Sequence, residues 1–212
     1  FDMDGFTLGA DATQQRINSS GANFINWAFR RAPGFMDVVC YTGTGFATTV
    51  AHGLGVVPEL IIVKNRSSAG TYWRTYAAPL GGTKALLLNQ NSALNIAPTW
   101  NNTSPTASVF SVNSGGYDVN DGSATHVAYL FATLAGISKC GSYTGTAAAQ
   151  TVNCGFTTGA RFVLIKRTDS TGDWYVWDSV RGIVSGNDPF LLLNSTAAEN
   201  TATDYIDPNT VG

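Results

Sequence analysis

Two histidines, three cysteines and two close pairs of aspartates are the residues of this chain that chemistry could recruit. Asp118 with Asp121, and Asp169 with Asp173, could serve as acid and base across a glycosidic bond, which asks for carboxyl groups about 5 to 9.5 Å apart. Both pairs lie in turn-like sequence, "YDVNDG" and "TDSTGD", where aspartate side chains bond nearby backbone N–H groups. The turn role accounts for them, and neither pair sits in the spacing of an EF-hand calcium loop. His52 and His126 align, in the internal repeat set out below, with Cys154 and Phe24, so chemistry shared by both copies rests on neither histidine. Cys40, Cys140 and Cys154 show no CxxC spacing and no paired histidines, and they read as idle or buried thiols. There is no GxSxG, HExxH or phosphate loop, and "TGTGFATT" carries two of the three glycines of a dinucleotide loop. The expectation is a protein that is not an enzyme and takes no cofactor and no metal.

Binding by aromatic stacking is the other chemistry open to the chain. Tyr72, Trp73, Trp174 and Trp177 are the candidates for a platform on which sugar rings lie, with Tyr175 beside them. Adjacent residues of a strand point to opposite faces, so one member of each neighbouring pair is expected in the core and the other outside. A cross-strand aromatic pair that only stabilises a sheet would use the same residues. Lys64 and Lys166 each follow an apolar run and are expected to end a strand as solvated charges that block edge pairing.

Charged residues make up 12% of the chain and the net charge is -2, against about 25% charged in an average globular domain. The densest basic run is Arg30-Arg31, and nucleic acid, which demands clustered Lys and Arg, is excluded as a partner. No stretch approaches the roughly 18 apolar residues of a membrane span, so membrane insertion is not expected. The remaining surface is neutral and rich in hydroxyls and amides.

The elements that position these residues are strands. Runs of four to eight apolar or β-branched residues alternate with Gly, Asn, Ser and Thr clusters, the pattern of an all-β sandwich or barrel. "LIIVK" and "FVLIK" are continuous apolar runs, as expected of central strands covered on both faces. Each leads through "NRSSAG" or "RTDSTG" to an aromatic strand, a hairpin in which Gly70 and Gly172 are expected to supply positive φ. Ile25, Trp27 and Phe29, and likewise Val127, Tyr129 and Phe131, stand at every second position and are expected in the core. Gly34 and Gly136 mark a break before the next strand.

Much of this is said twice. "CYTGTGFATTV" and "SYTGTAAAQTV" align with a spacing of 102 residues, as do Lys64 with Lys166 and "INSSGANFINWAF" with "VNDGSATHVAYLF". "ALLLN" meets "FLLLN" at a spacing of 105. A period this long is a domain rather than a solenoid unit. The expected architecture is two tandem copies of a β-sandwich, jelly-roll-like or lectin-like, over residues 1–108 and 109–212. In the alternative phase, residues 1–34 end a preceding copy, 35–136 form a full one and 137–212 a partial one. The start at Phe1 and the stop at Gly212 within the repeat lead us to expect a piece of a longer protein with more copies.

The phrases that carry the repeat also carry a resemblance. "YTGTG", "TTVAHGLGVVPELIIVK", "NNTSPTASVFSV", "ATHVAYLFA", "GISKCGSYTG", "RFVLIKRTDSTGDWYVWDSVRGI" and "INSSGANFINWAFR" together span nearly the whole chain. They resemble the tandem domain of unknown function found in bacteriophage tail and tail-fibre structural proteins, notably of phages of marine bacteria and cyanobacteria. The resemblance implies a structural or adhesive virion component, extracellular, with other tail proteins as partners and a homo-oligomer, a trimer being usual in phage fibres. It implies no catalytic residue. Attachment to host cell-surface glycans is the role it leaves for Tyr72, Trp73, Trp174 and Trp177.

Overall fold

The computed structural model describes residues 5–10 and 17–212. The chain falls into two compact units, Phe1–Arg30 and Arg31–Gly212. In the first unit the described residues form no extended strand, and Asn18 Nδ2 donates to the Gly9 carbonyl at 2.8 Å.

The second unit is all-β. Its strands are β1 (Met36–Thr42), β2 (Thr48–Ala51), β3 (Leu60–Asn65), β4 (Trp73–Ala77), β5 (Lys84–Leu87), β6 (Asn95–Ile96), β7 (Val109–Val112), β8 (Thr125–Phe131), β9 (Phe162–Lys166), β10 (Trp174–Asp178) and β11 (Leu191–Leu192). One 3-10 turn, Ala78–Leu80, joins β4 to β5, and no α-helix occurs among the described residues. The strands form a six-stranded sheet ordered β1-β8-β3-β4-β5-β6, a two-stranded sheet β2-β7 and a three-stranded sheet β11-β10-β9. Every pairing is antiparallel.

The core lies between the β2-β7 pair and one face of the six-stranded sheet. Val50, Phe110 and Val112 on the one side meet Ile61, Val63, Ala128 and Leu130 on the other, with Leu54, Trp100 and Val119 closing the ends. Alternation in β3 is regular: Ile61, Val63 and Asn65 are buried while Leu60, Ile62 and Lys64 are half-covered. In β8 the alternation is present on the face opposite to the expected one. His126, Ala128 and Leu130 are buried, and Val127, Tyr129 and Phe131 stand half-buried on the outer side. Period two is fixed by the pleat, but which face meets the second layer is decided by tertiary packing, here by β2 and β7.

The two apolar runs also part company. β3 is central, between β8 and β4, whereas β9 ends its sheet, with β10 as its strand neighbour among the described residues, and all five of its residues are only half-buried. The sequence "FVLIK" suits a strand with two neighbours, and the sheet supplies one.

The repeat is visible in local geometry. Ala32 bridges Met36 and Leu134 bridges Ser138, 102 residues on, with Gly34 and Gly136 at φ 74° and 73° turning the chain in the same way. Hairpin glycines differ: Gly70 has φ 72°, but Gly172 keeps an ordinary φ and donates its N–H to the Asn91 carbonyl at 2.8 Å. Its loop is one residue shorter, so Trp174 rather than Tyr175 takes the place of Trp73. Both tryptophans lie across the ladder from the equivalent lysines, Trp73 opposite Lys64 and Trp174 opposite Lys166.

Candidate binding surface

Each hairpin is locked by the same three residues. The N–H of Trp73 donates to Asn89 Oδ1 at 3.0 Å, and that of Trp174 to Asn194 Oδ1 at 2.7 Å. Lys64 Nζ donates to the Thr71 carbonyl at 2.7 Å and to the Thr71 hydroxyl. Lys166 Nζ donates to the carbonyls of Gly172 at 2.7 Å and Arg167 at 2.8 Å. These lysines are therefore not the free solvated charges expected from their position after an apolar run. Each ammonium ties the hairpin loop to its strand, and burial lowers the pKa of Lys166. A point charge on a four-carbon stem can reach two or three carbonyls at once.

Of the four aromatic candidates, two are withdrawn from the surface. Trp174 is 4% exposed and its Nε1 donates to the Leu87 carbonyl at 2.8 Å. Trp177 is 3% exposed, stacked on Tyr175 with ring centroids 5.7 Å apart and tilted against Phe190. Their faces are spent on packing, which is the ordinary use of a large ring that can bury much apolar area. Tyr72 remains, 39% exposed, with the Arg74 guanidinium 5.4 Å from its ring centroid. Trp73 is half-buried on the outer face of the sheet, stacked on Tyr129 at 6.5 Å and 16°. Tyr72 and Trp73 thus serve different faces, and Tyr129, expected in the core from its alternation, is the residue that accompanies Trp73.

Between the two hairpins lies a polar cleft of about 350 Å³ lined by Asn89, Gln90, Asn91, Asp173, Asn194 and Ser195. Two of these are the locking asparagines. Asn194 Nδ2 also donates to Asp173 Oδ1 at 2.7 Å, which turns that carboxylate into the cleft wall. Planar amides and a carboxylate held by their own hydrogen bonds are suited to receive paired hydroxyl groups. The recurrence of "LLLN" was the signal in the sequence; that the two asparagines come together was not.

The acidic pair at Asp118 and Asp121 organises a loop. Asp121 accepts from Asn65 Nδ2 at 2.9 Å and from the Gly116 N–H at 3.1 Å. Asp118, at φ 57°, accepts from Arg74 Nε at 3.3 Å and from the Tyr72 N–H at 3.4 Å. Between them Asn120 is buried, accepting from the Thr44 N–H at 2.8 Å and donating to the carbonyls of Phe46 and Asn113. This explains "YTGT": Gly43 leaves room where a Cβ would fall on the Asp121 carbonyl oxygen and within 2.9 Å of Asn120. In the second pair, Asp169 is held by Arg167 at 2.7 Å, which lowers its pKa, and Asp173 belongs to the cleft. His126 is buried and His52 bonds the Thr106 carbonyl through Nε2 at 3.1 Å. All three cysteines are free thiols. Among the described residues no group of three or more His, Cys, Asp or Glu could hold a metal ion, and no helix is long and apolar enough to cross a membrane.

The fold and surface define a class: an antiparallel all-β protein whose Lys–Trp–Asn hairpin recurs along the chain. Its family is shown by a domain model that matches residues 1–212, and the chain belongs to DUF7483, a domain of unknown function. No curated protein and no solved structure matches the chain.

Proposed function

We propose that this chain is a structural and adhesive module of a bacteriophage tail fibre or tail appendage, built from tandem copies of one β-sandwich domain. The observation that carries this reading is the hairpin equivalence. Lysine, tryptophan and asparagine make the same bonds in both halves, so the sequence repeat is also a repeat of local structure. Repetition of a neutral, amide-rich β unit suits an extended particle component exposed to solvent, and the resemblance of the repeat phrases to phage tail domains gives the particle its kind. In this reading the module works outside the cell as part of the virion, assembled with other tail proteins and as a homo-oligomer. Mass spectrometry of purified phage particles encoding the chain tests it: the protein should be present in stoichiometric amount, and its absence from particles sinks the reading.

A second reading, a carbohydrate-binding module for host surface glycans, is favoured by the amide-lined cleft, by the exposed ring of Tyr72 and by the half-buried ring of Trp73 on the outer face of the sheet. A glycan array separates its two parts. Loss of binding in Asn194→Ala and Gln90→Ala points to the cleft, loss in Tyr72→Ala or Trp73→Ala to the rings, and no binding by the unmodified chain removes the reading. Trp174→Ala is uninformative for binding because that ring is buried.

A further inference from the structure

Main-chain hydrogen bonding fixes which atoms of the cleft asparagines are left for a ligand. A backbone N–H only donates, so the N–H of Trp73 requires the oxygen of the Asn89 amide, at 3.0 Å, and both hydrogens of Asn89 Nδ2 stay unspent. Asn194 is used at both ends, its Oδ1 by the Trp174 N–H and its Nδ2 by Asp173 Oδ1, each at 2.7 Å. Asp173 Oδ2 is the carboxylate atom that remains. Among the described residues neither Asn89 Nδ2 nor Asp173 Oδ2 has a partner, and neither is buried unsatisfied, so both open to solvent. One half of the chain thus offers the cleft a donor and the other half an acceptor.

The two walls are tied together by main chain. The Asn91 carbonyl accepts from the Gly172 N–H at 2.8 Å, and the Thr168 carbonyl accepts from the Leu94 N–H at 3.0 Å. Lys166 Nζ lies 3.4 Å from the same Asn91 carbonyl while bonding those of Arg167 and Gly172, so the ammonium is committed to the protein. A site held by its own backbone loses little freedom when a ligand enters. Its volume, about 350 Å³, is at the small end of the roughly 300–1,000 Å³ of ligand pockets, which suits one sugar ring. Apart from Leu192 every lining residue is polar.

We propose that this cleft takes a single neutral sugar residue of a glycan through two adjacent hydroxyls, one accepting from Asn89 Nδ2 and its neighbour donating to Asp173 Oδ2. A hydroxyl can donate and accept, so a vicinal diol answers a wall of each kind, and the bond to the carboxylate is charge-assisted. The same carboxylate repels uronic and sialic acids. The inference rests on the carbohydrate-binding reading above and adds to it the contacting atoms and the charge class of the sugar.

Two isosteric substitutions each invert one free atom and keep the bond that holds the side chain. Asn89→Asp retains an oxygen for the Trp73 N–H and puts an acceptor in place of Nδ2. Asp173→Asn retains an oxygen for Asn194 Nδ2 and puts a donor in place of Oδ2. Methyl glycosides of neutral hexoses, their monodeoxy analogues, methyl glucuronide and methyl sialoside are titrated into the isotope-labelled full chain, and Kd is read from the side-chain amide signals in NMR spectra. A neutral hexoside should shift the amide pair that disappears in Asn89→Asp, and each substitution should weaken its binding at least about tenfold with unchanged circular dichroism. Removing either hydroxyl of the recognised pair from the sugar should do the same to the unmodified chain, which decides the matter if a variant misfolds. The glucuronide and the sialoside should bind at least about tenfold more weakly than the neutral sugar. Equal binding of the charged sugars, or neutral-sugar binding that survives both substitutions, overturns the inference and leaves the carbohydrate-binding reading standing on Tyr72 and Trp73. Binding of no sugar of either class removes that reading and the inference together.

Discussion

Tyr41 lies face to face with His126, ring centroids 5.0 Å apart and planes 13° from parallel. The two are opposite each other in the β1-β8 ladder. The Tyr41 hydroxyl donates to the Val119 carbonyl at 2.5 Å, and His126 Nδ1 lies 3.1 Å from the Ala124 carbonyl, which places the ring proton on Nδ1. His126 Nε2 is buried with no hydrogen-bond partner, so the histidine is held neutral inside the sheet.

Burial lowers the pKa of His126, and Asp121, the Ala124 carbonyl and Asp118 oppose that only in part. Burial, with Asp121, pushes the Tyr41 phenol well above its usual range. Because the folded-state histidine pKa lies below the unfolded value near 6.5, the unfolded chain binds more protons as pH falls through that value. Stability is then full above pH 6.5 and declines as pH falls below it. Thermal melts from pH 7.5 to 5 should show Tm falling. His126→Phe, which installs the residue found at the aligned Phe24, keeps the stack and loses one bond to Ala124. It should cost about 1 kcal/mol and a few degrees of Tm at pH 7.5, while removing the wild-type excess slope. An equal slope in the two proteins rejects the buried neutral histidine.

Gly43 and Gly145 stand at the same station of the "YTGT" phrase with opposite surroundings. A Cβ at Gly43 collides with the backbone of Asn120 and Asp121, and one at Gly145 meets nothing within 4 Å. Gly43→Ala should destabilise by about 1–3 kcal/mol, because the obstructing atoms are main chain and cannot rotate aside. Gly145→Ala in dilute protein should stay within about 0.5 kcal/mol of wild type. Urea midpoints decide it, and equal losses at the two sites would contradict the packing of the 113–124 loop on β1.

The all-β character was legible because β-branched runs broken by Gly, Asn and Ser clusters leave no amphipathic helix to form. The hairpins were legible for the same reason, since "LIIVK" and "FVLIK" each precede a turn and an aromatic strand. What could not be read was side and neighbour. Alternation in β8 announces two faces without saying that His126, Ala128 and Leu130 are the inner set, because that depends on β2 and β7 arriving from distant sequence. β9 reads like β3 yet sits at an edge, since a strand's partners are set by the rest of the fold. Among the binding candidates, Trp174 looked as available as Trp73, and only the approach of Leu87 to its indole separates them. The amide cleft was hidden because it joins side chains about a hundred residues apart.

The cysteines offer a chemical readout of burial. Cys40 is exposed on β1, while Cys140 is half-buried, its thiol pushed up to about 12 by burial and, secondarily, by Glu59. The thiolate is the nucleophile, so iodoacetamide at pH 8 should modify Cys40 first and leave Cys140 at least tenfold slower. Peptide mass spectrometry over a time course measures the ratio. Comparable rates would mean that the Thr133 hydroxyl, which accepts from the Cys140 N–H at 3.1 Å, does not hold this turn closed in solution.

The Arg74–Asp118 pair joins the loop to the sheet and carries the strongest energetic prediction. Arg74 is nearly buried, 3.3 Å from Asp118 through both Nε and Nη2, with Tyr72 covering the guanidinium from the other side. Asp118 is partly exposed, so the pair is screened less than a surface bridge and desolvated less than a fully interior one. Removing only the acid, Asp118→Ala, strands a buried cation and should cost about 2–3 kcal/mol, discounted from the 3–5 of a wholly buried pair. Arg74→Met keeps the apolar stem over Tyr72 and leaves an acid that water can reach, and should cost about 1 kcal/mol less. With both changes no charge is stranded, so the double variant should be more stable than the sum of the single losses by about 1–2 kcal/mol. Urea unfolding of the four proteins gives this coupling directly. Additive losses would show that Asp118 holds the loop through the Tyr72 N–H alone, and that the arginine is retained for its packing rather than its charge.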